Sequence, residues 1–178
     1  MKKILAFGGS NSKHSINQKF ATYTAQLFSS KASIFSINIA DFETSIYSID
    51  AEKKSGIPEI IVRFYDHIEQ ADFIIISLAE YNGSYTTAFK NIIDWTSRYK
   101  KDFLKDKPLF LLSTSPGSRG GINVMDAALS RFKIFGAHII EHFSLPFYDK
   151  NFDPNLGIID QELAHFFLSK IQKINEVL

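Results

Sequence analysis

Apolar and polar positions alternate in blocks along this chain, and the blocks switch between strand-like and helix-like spacing. "KKILAFG" opens with an apolar run of strand length, and the spacing after it predicts a helix over 15–30. "ASIFSINIA" sets Ile34, Ile37 and Ile39 around Phe35 and predicts a second strand. Residues 41–56 are polar and read as a loop, after which Pro58 opens a helix through "EIIVRFYDHIEQ". In "ADFIIISLAE" the stretch Phe73 to Ile76 is unbroken in its apolar character, as expected of a strand covered on both faces. "SYTTAFKNIIDWTSRYK" predicts a helix with Phe89, Ile92, Ile93 and Trp95 on or near one face. "KPLFLLSTSP" predicts a fourth strand, "GGINVMDAALSRFKIFG" a helix closed by Gly136, and "AHIIEHFSLPF" a fifth strand. Beyond a loop over 146–157, "DQELAHFFLSKIQKINEVL" reads as a terminal helix capped by Asp160.

Strands of continuous apolar character alternating with helices predict an α/β fold. The expected architecture is a flavodoxin-like three-layer sandwich, with a five-stranded parallel sheet and helices on both faces, as one domain over residues 1–178. Ligands of such sheets sit outside the carboxyl ends of the strands, where the strand order reverses. The loops after the first, third and fourth strands are therefore the places to look for chemistry.

Composition narrows the classes. The 178 residues are 45% hydrophobic and 22% charged, ordinary for a globular chain with a sizeable core. Twenty Lys+Arg against 19 Asp+Glu leave a net charge of +1, so no electrostatic footprint for nucleic acid exists. The chain has no cysteine, which excludes disulfides, thiolate metal sites and cysteine nucleophiles and fits a reducing cytoplasm. "MKKILAFGGS" has lysines before an apolar run, but the run ends at Gly8, too short for a signal peptide, and no stretch approaches membrane-spanning length. The expectation is a cytoplasmic protein without membrane or nucleic-acid partners. Seventeen phenylalanines point to aromatic core packing or a buried subunit interface.

Each of the three loops carries small and polar residues. In "GGSNSKHSIN" the hydroxyls of Ser10, Ser12 and Ser15 and the amide of Asn17 surround a predicted helix start, where unpaired N–H groups and the helix dipole favour an anion such as a phosphate. Ser15 as a simple helix cap is the plainer alternative. The loop matches neither a Walker A motif nor G-x-G-x-x-G. "AEYNGSYTT" joins an Asn82-Gly83 turn to Tyr81 and Tyr85, a setting that suits a planar heterocycle held by stacking and backbone donors. Glu80 reads as a solvated charge, a helix-start acid or a general acid/base. "STSPGSRGGIN" lets backbone approach a ligand closely through Gly117, Gly120 and Gly121, with Arg119 either steering a phosphate or sitting in solvent. His138 and His142 fall on a predicted strand, where a four-residue separation spans roughly 13 Å, too far to share a metal ion. No G-x-S-x-G elbow follows any strand, so a serine hydrolase is unsupported.

Taken together, the loops resemble those of the NAD(P)H-dependent FMN reductases, the flavodoxin-like group of quinone, chromate and azo-compound reductases. That family carries G-S-x-R-x-x-S-x-N after strand one, and Gly9, Ser10, Ser15 and Asn17 match it. It carries P-E-Y-N-G-S after strand three, matched by Glu80, Tyr81, Asn82, Gly83 and Ser84, and "FKNIIDWTSR" is similar to its next helix. The resemblance implies FMN as cofactor, with its phosphate on Ser10, Ser15, Asn17 and the N–H groups of the helix start at Ile16. It implies a ring lined by Glu80, Tyr81, Asn82 and Gly83, with Ser115 and Gly117 at the pyrimidine end. It further implies NADPH or NADH as electron donor, a small-molecule electron acceptor, and a homodimer or homotetramer. No side chain is required as a nucleophile. The family's arginine falls at Ser12, its proline before Glu80 at Ala79, and its proline after Tyr85 at Thr86. Alternatives in the same fold are an electron carrier, or a flavin-free enzyme such as a nucleoside deoxyribosyltransferase using Glu80.

Overall fold

A computed structural model describes residues 1–178, which run in order β1 (Lys2–Gly8), α1 (Ile16–Gln26), β2 (Ala32–Ser36), a 3-10 turn (Ile39–Phe42), α2 (Ile49–Ser55), α3 (Glu59–Gln70) and β3 (Phe73–Leu78). A small hairpin of β4 (Glu80–Tyr81) and β5 (Ser84–Tyr85) then leads to α4 (Thr87–Tyr99), β6 (Pro108–Thr114), α5 (Ile122–Arg131) and β7 (His138–Leu145). The chain closes with a helical turn α6 (Tyr148–Asn151), a second hairpin of β8 (Phe152–Asp153) and β9 (Gly157–Ile158), and α7 (Gln161–Val177). The five long strands are all parallel and ordered β2-β1-β3-β6-β7. The order reverses between β1 and β3, and a crevice opens there above their carboxyl ends.

Strand alternation divides the core into two layers. Leu5, Phe7, Ile74, Ile76 and Leu78 face α3, α4 and α5, whereas Ile4, Ala6, Phe73 and Ile75 face α1 and α7. Every residue of β3 is buried, which is why its apolar run is unbroken. Most of the phenylalanines lie in these layers, with Phe147 and Phe166 exposed. Phe42 meets Phe64 edge-on at 5.3 Å, and Phe20 and Phe143 both pack on Phe167, at 5.8 and 5.1 Å. Trp95 is buried with its indole N–H donated to the Ser45 carbonyl (2.8 Å), and Phe103 packs on Phe135. Both residues serve this chain's own core and present no face to a neighbour.

Several boundaries differ from the expected ones. The first helix stops at Gln26 instead of residue 30, and β2 ends at Ser36, so that Ile39 is buried from a 3-10 turn. The polar stretch 41–56 contains α2, built from its caps: the Ser48 hydroxyl accepts from the Ala51 N–H, Lys53 and Lys54 lie in the last turn, and Gly56 follows at φ 71°. None of its residues is buried, so no apolar stripe announces it. Ser84 and Tyr85 belong to a strand rather than a helix, and 146–157 holds α6 and the β8–β9 hairpin. Asp160 caps α7 through the Leu163 N–H (2.9 Å), as expected.

Candidate functional site

The first loop is set by the way α1 lands on β1. A Cβ added at Gly8 would lie 2.4 Å from the Gln18 backbone nitrogen, so only glycine lets the helix begin this close to the strand. The Gly8 N–H donates to Gln18 Oε1 (2.8 Å) and fixes the approach. Ser15 caps the helix, its Oγ accepting from the Gln18 N–H (3.1 Å). The N–H groups of Ile16 and Asn17, the first two of α1, have no acceptor within the protein. They point out at the positive end of the helix dipole. Ser10 Oγ accepts from the Ser12 N–H (3.2 Å), and neither Ser10 nor Ser15 donates its own hydroxyl proton. Two backbone donors and two hydroxyl donors thus remain free beside one helix start.

The Asn17 side chain does something other than expected. Its Oδ1 accepts from Ser77 Oγ (2.7 Å) and from the Thr114 N–H (3.1 Å), while Nδ2 donates to the Thr114 carbonyl (3.1 Å). Only 2% of Asn17 is exposed. The side chain therefore locks α1 to the carboxyl ends of β3 and β6, and only the backbone N–H of Asn17 is left free beside the helix start. A buried amide must satisfy its polar atoms, and the strand ends supply the partners.

The second loop is a hairpin in which Glu80 pairs with Tyr85 and Tyr81 with Ser84. Asn82 (φ 52°) and Gly83 (φ 77°) both take the left-handed conformation that a two-residue hairpin turn demands. The Glu80 carboxylate turns away to α5, accepting from Asn123 Nδ2 (2.9 Å) and the Val124 N–H (3.0 Å). It is a helix-start acid. Arg119 completes that group, donating to Asn123 Oδ1 (2.7 Å) from an exposed position. Thr86 ties the hairpin to the first loop, since its Oγ1 donates to the Gly9 carbonyl (2.7 Å) while capping the Phe89 N–H. The two tyrosines part company. Tyr81 is 52% exposed, whereas Tyr85 stacks on Phe132 and burial pushes its hydroxyl up to about 12.

The third loop is anchored by carbonyls: Ser115 accepts from the Tyr148 N–H and Gly117 from the Phe147 N–H, both at 3.0 Å. Gly120 (φ 57°) lies so near Leu145 that a Cβ there would come within 2.8 Å of its backbone. One cleft of about 210 Å³ joins the three loops. Ser10, Ser12, His14, Ser15, Ile16 and Asn17 line it from the first, Ala79, Glu80 and Tyr81 from the second, and Thr114, Ser115 and Pro116 from the third. Asn82, Gly83 and Gly117 lie outside its wall, at the exposed tips of their loops. His14, Ala79, Thr114 and Pro116 enter only because they adjoin motif residues; their side-chain chemistry did not single them out.

This arrangement, a free helix start, a Tyr-bearing hairpin and a strand end around one crevice at a strand-order reversal, is that of a nucleotide-binding α/β protein. Comparison with known proteins narrows the class. A family model described as NADPH-dependent FMN reductase matches residues 2–150, and the chain belongs to that family. It is 28% identical to the NADH-dependent flavin reductase subunit 2 of Lactobacillus johnsonii over 171 residues, covering 92% of this chain and 90% of that protein. It is 36% identical to the quinone reductase of Escherichia coli (strain K12) over 84 residues, 47% of this chain, and so spans about half the length of that relative (44%). In structure it is similar to FerB, a flavoenzyme NAD(P)H:(acceptor) oxidoreductase from Paracoccus denitrificans, with a TM-score of 0.74, 25% identity, and coverage of 99% of this chain and 98% of that one.

Proposed function

We propose that residues 1–178 act as one FMN-binding domain of an NAD(P)H-dependent reductase that passes electrons to a small organic or inorganic acceptor. The observation carrying this reading is the convergence of free donors and a flat aromatic surface in one cleft. Those residues fit FMN. The Ser10 and Ser15 hydroxyls and the Ile16 and Asn17 N–H groups would hold the phosphate, an anion at a helix N-terminus. The backbone of Glu80 and Tyr81 would line the ring and Ser115 its pyrimidine end, while Asn82, Gly83 and Gly117, outside the cleft wall, would meet the ligand only at its open edge. When bound, FMN supplies the hydride and electron transfer between NAD(P)H and the acceptor.

The chain's own part is placement. Thr86 and Asn17 hold the three loops in register, so the donors are fixed before a ligand arrives. Tyr81, half-exposed at the cleft wall, would leave one side of such a ring accessible. Glu80 is a poor candidate nucleophile because both its oxygens are bonded at α5, which weighs against a deoxyribosyltransferase. The family resemblance supports a homodimer or homotetramer, and a nicotinamide donor together with a cysteine-free chain supports a cytoplasmic setting. No helix is long and apolar enough to cross a membrane.

The test is anaerobic titration of FMN-reconstituted protein with NADH and with NADPH. Loss of the visible flavin absorbance with either donor is expected. Retention of FMN without bleaching by either would make the protein a carrier, and failure to retain FMN would end the flavin reading.

A further inference from the structure

A second cleft, of about 290 Å³, shares Tyr81 with the first and is lined by the segment 43–46 and the start of α4. Its apolar wall is Ile39, Phe42, Ile46, Tyr81, Ala88 and Ile92. Among its twelve lining residues there is no lysine, arginine or histidine, and Glu43 is the one charged side chain. Apolar walls with a few placed polar groups are the usual make-up of a small-molecule site, here at the small end of the range.

The cleft is held open by the fold. Asn91 grips the 43–46 segment, its Nδ2 donating to the Thr44 (3.3 Å) and Ser45 (3.1 Å) carbonyls and its Oδ1 accepting from the Tyr47 N–H (2.8 Å). The Trp95 indole adds a bond to the Ser45 carbonyl (2.8 Å). The cleft also adjoins the first one. Tyr81 lines both, and Asn11, between Ser10 and Ser12 of the first loop, donates from Nδ2 to Glu43 Oε1 (2.9 Å). That bond is to a neutral amide, so the charge of Glu43 stays uncompensated at the rim.

We propose that this second cleft receives the electron acceptor, and that Glu43 makes it select neutral or cationic planar acceptors over anionic ones. The inference rests on the reductase reading and names the substrate class within it. A neutral quinone fits both the apolar wall and the rim. A sulfonated quinone, a free flavin phosphate or a metal oxyanion meets a like charge with no cation to offset it. In each turnover a hydride from NAD(P)H and a proton from solvent convert the quinone to its hydroquinone and leave NAD(P)⁺.

The experiment compares 1,4-naphthoquinone with its 2-sulfonate on the FMN-reconstituted protein, by calorimetric binding to the oxidised form and by kcat/KM. Glu43→Gln keeps an amide oxygen for the Asn11 bond and removes the charge; Glu43→Lys reverses it. The ratio of sulfonate to neutral ligand should rise about threefold in the first and about tenfold in the second at low salt, with both gains shrinking at high salt. Ala88→Leu, which fills the cleft from a helix position, should abolish quinone binding, with FMN affinity measured alongside to show an intact flavin site. A ratio unmoved by either Glu43 variant, or quinone binding that survives Ala88→Leu, would overturn the proposal. Binding is read without turnover, so absent bleaching by NADH and NADPH would refute the reductase reading on its own, while the calorimetry still decides whether the cleft takes quinones and sorts them by charge.

Discussion

Replacing Asn17 with alanine removes three hydrogen bonds at once and strands their partners: Ser77 Oγ, the Thr114 N–H and the Thr114 carbonyl. Ser77 and Thr114 are at most 1% exposed, so water cannot take over. A stranded buried polar group costs about 1–3 kcal/mol. The Ser77 hydroxyl can rotate toward another acceptor, which leaves roughly 3–5 kcal/mol for the set, a large share of a total stability on the order of 10 kcal/mol. Urea unfolding followed by far-ultraviolet circular dichroism, with a slope of about 2 kcal/mol per molar, should show the midpoint falling by about 2 M. A fall below about 0.5 M would refute the clamp. Ligand binding provides the sharper discrimination. If Asn17 holds α1 to the ends of β3 and β6, FMN and riboflavin should weaken together, because the phosphate end and the ring end lose their register. If its side chain instead met the phosphate, FMN alone would weaken.

Three further outcomes follow from the same geometry. Ser10→Ala combined with Ser15→Ala should weaken FMN about 10- to 100-fold more than riboflavin in fluorescence titrations, since charge-assisted hydrogen bonds to the phosphate are lost; equal weakening would remove the serines from the phosphate site. Ser12→Arg should raise kcat/KM for NADPH relative to NADH by about fivefold if a cation there meets the donor's extra phosphate, and an unchanged ratio counts against it. Burial of Glu141 raises its carboxyl pKa, but the bonds from Lys170 (2.8 Å) and Lys173 (2.6 Å) outweigh that and hold it below the usual carboxylate range. Its folded value is depressed, so the stabilisation is present above the unfolded pKa of about 4.3 and fades as pH falls through the folded one. Glu141→Gln should therefore narrow the gap to wild type in urea midpoint as pH drops from 7 toward 3, and a constant gap would be the contrary result.

The sheet was legible because its strands are covered on both faces, and β3 shows this most clearly, with six consecutive buried residues. The three loops were legible because Gly8, Ser15, the Asn82-Gly83 pair and Gly120 carry local backbone requirements that residue type reveals. Helix α2 was not, since it buries nothing and is held by its caps and by polar bonds to Glu52 from Tyr47 and Arg98. The part played by Asn17 was hidden for a different reason: its partners, Ser77 and Thr114, are 60 and 97 positions away in sequence. Glu80 was ambiguous among three roles until α5 came to lie beside it. The second cleft draws on Asn11, Glu43, Tyr81 and Asn91, which no single stretch of sequence brings together.

Helix α2 has a practical consequence. It lies directly after the segment that walls the second cleft, buries none of its residues, and belongs to a chain without a single native thiol. A lone cysteine introduced at Lys54 would thus carry a fluorophore or spin label at one defined place without any background reaction. The molecule comes ready for spectroscopic tagging, with a reporter standing one short loop away from where an acceptor would dock.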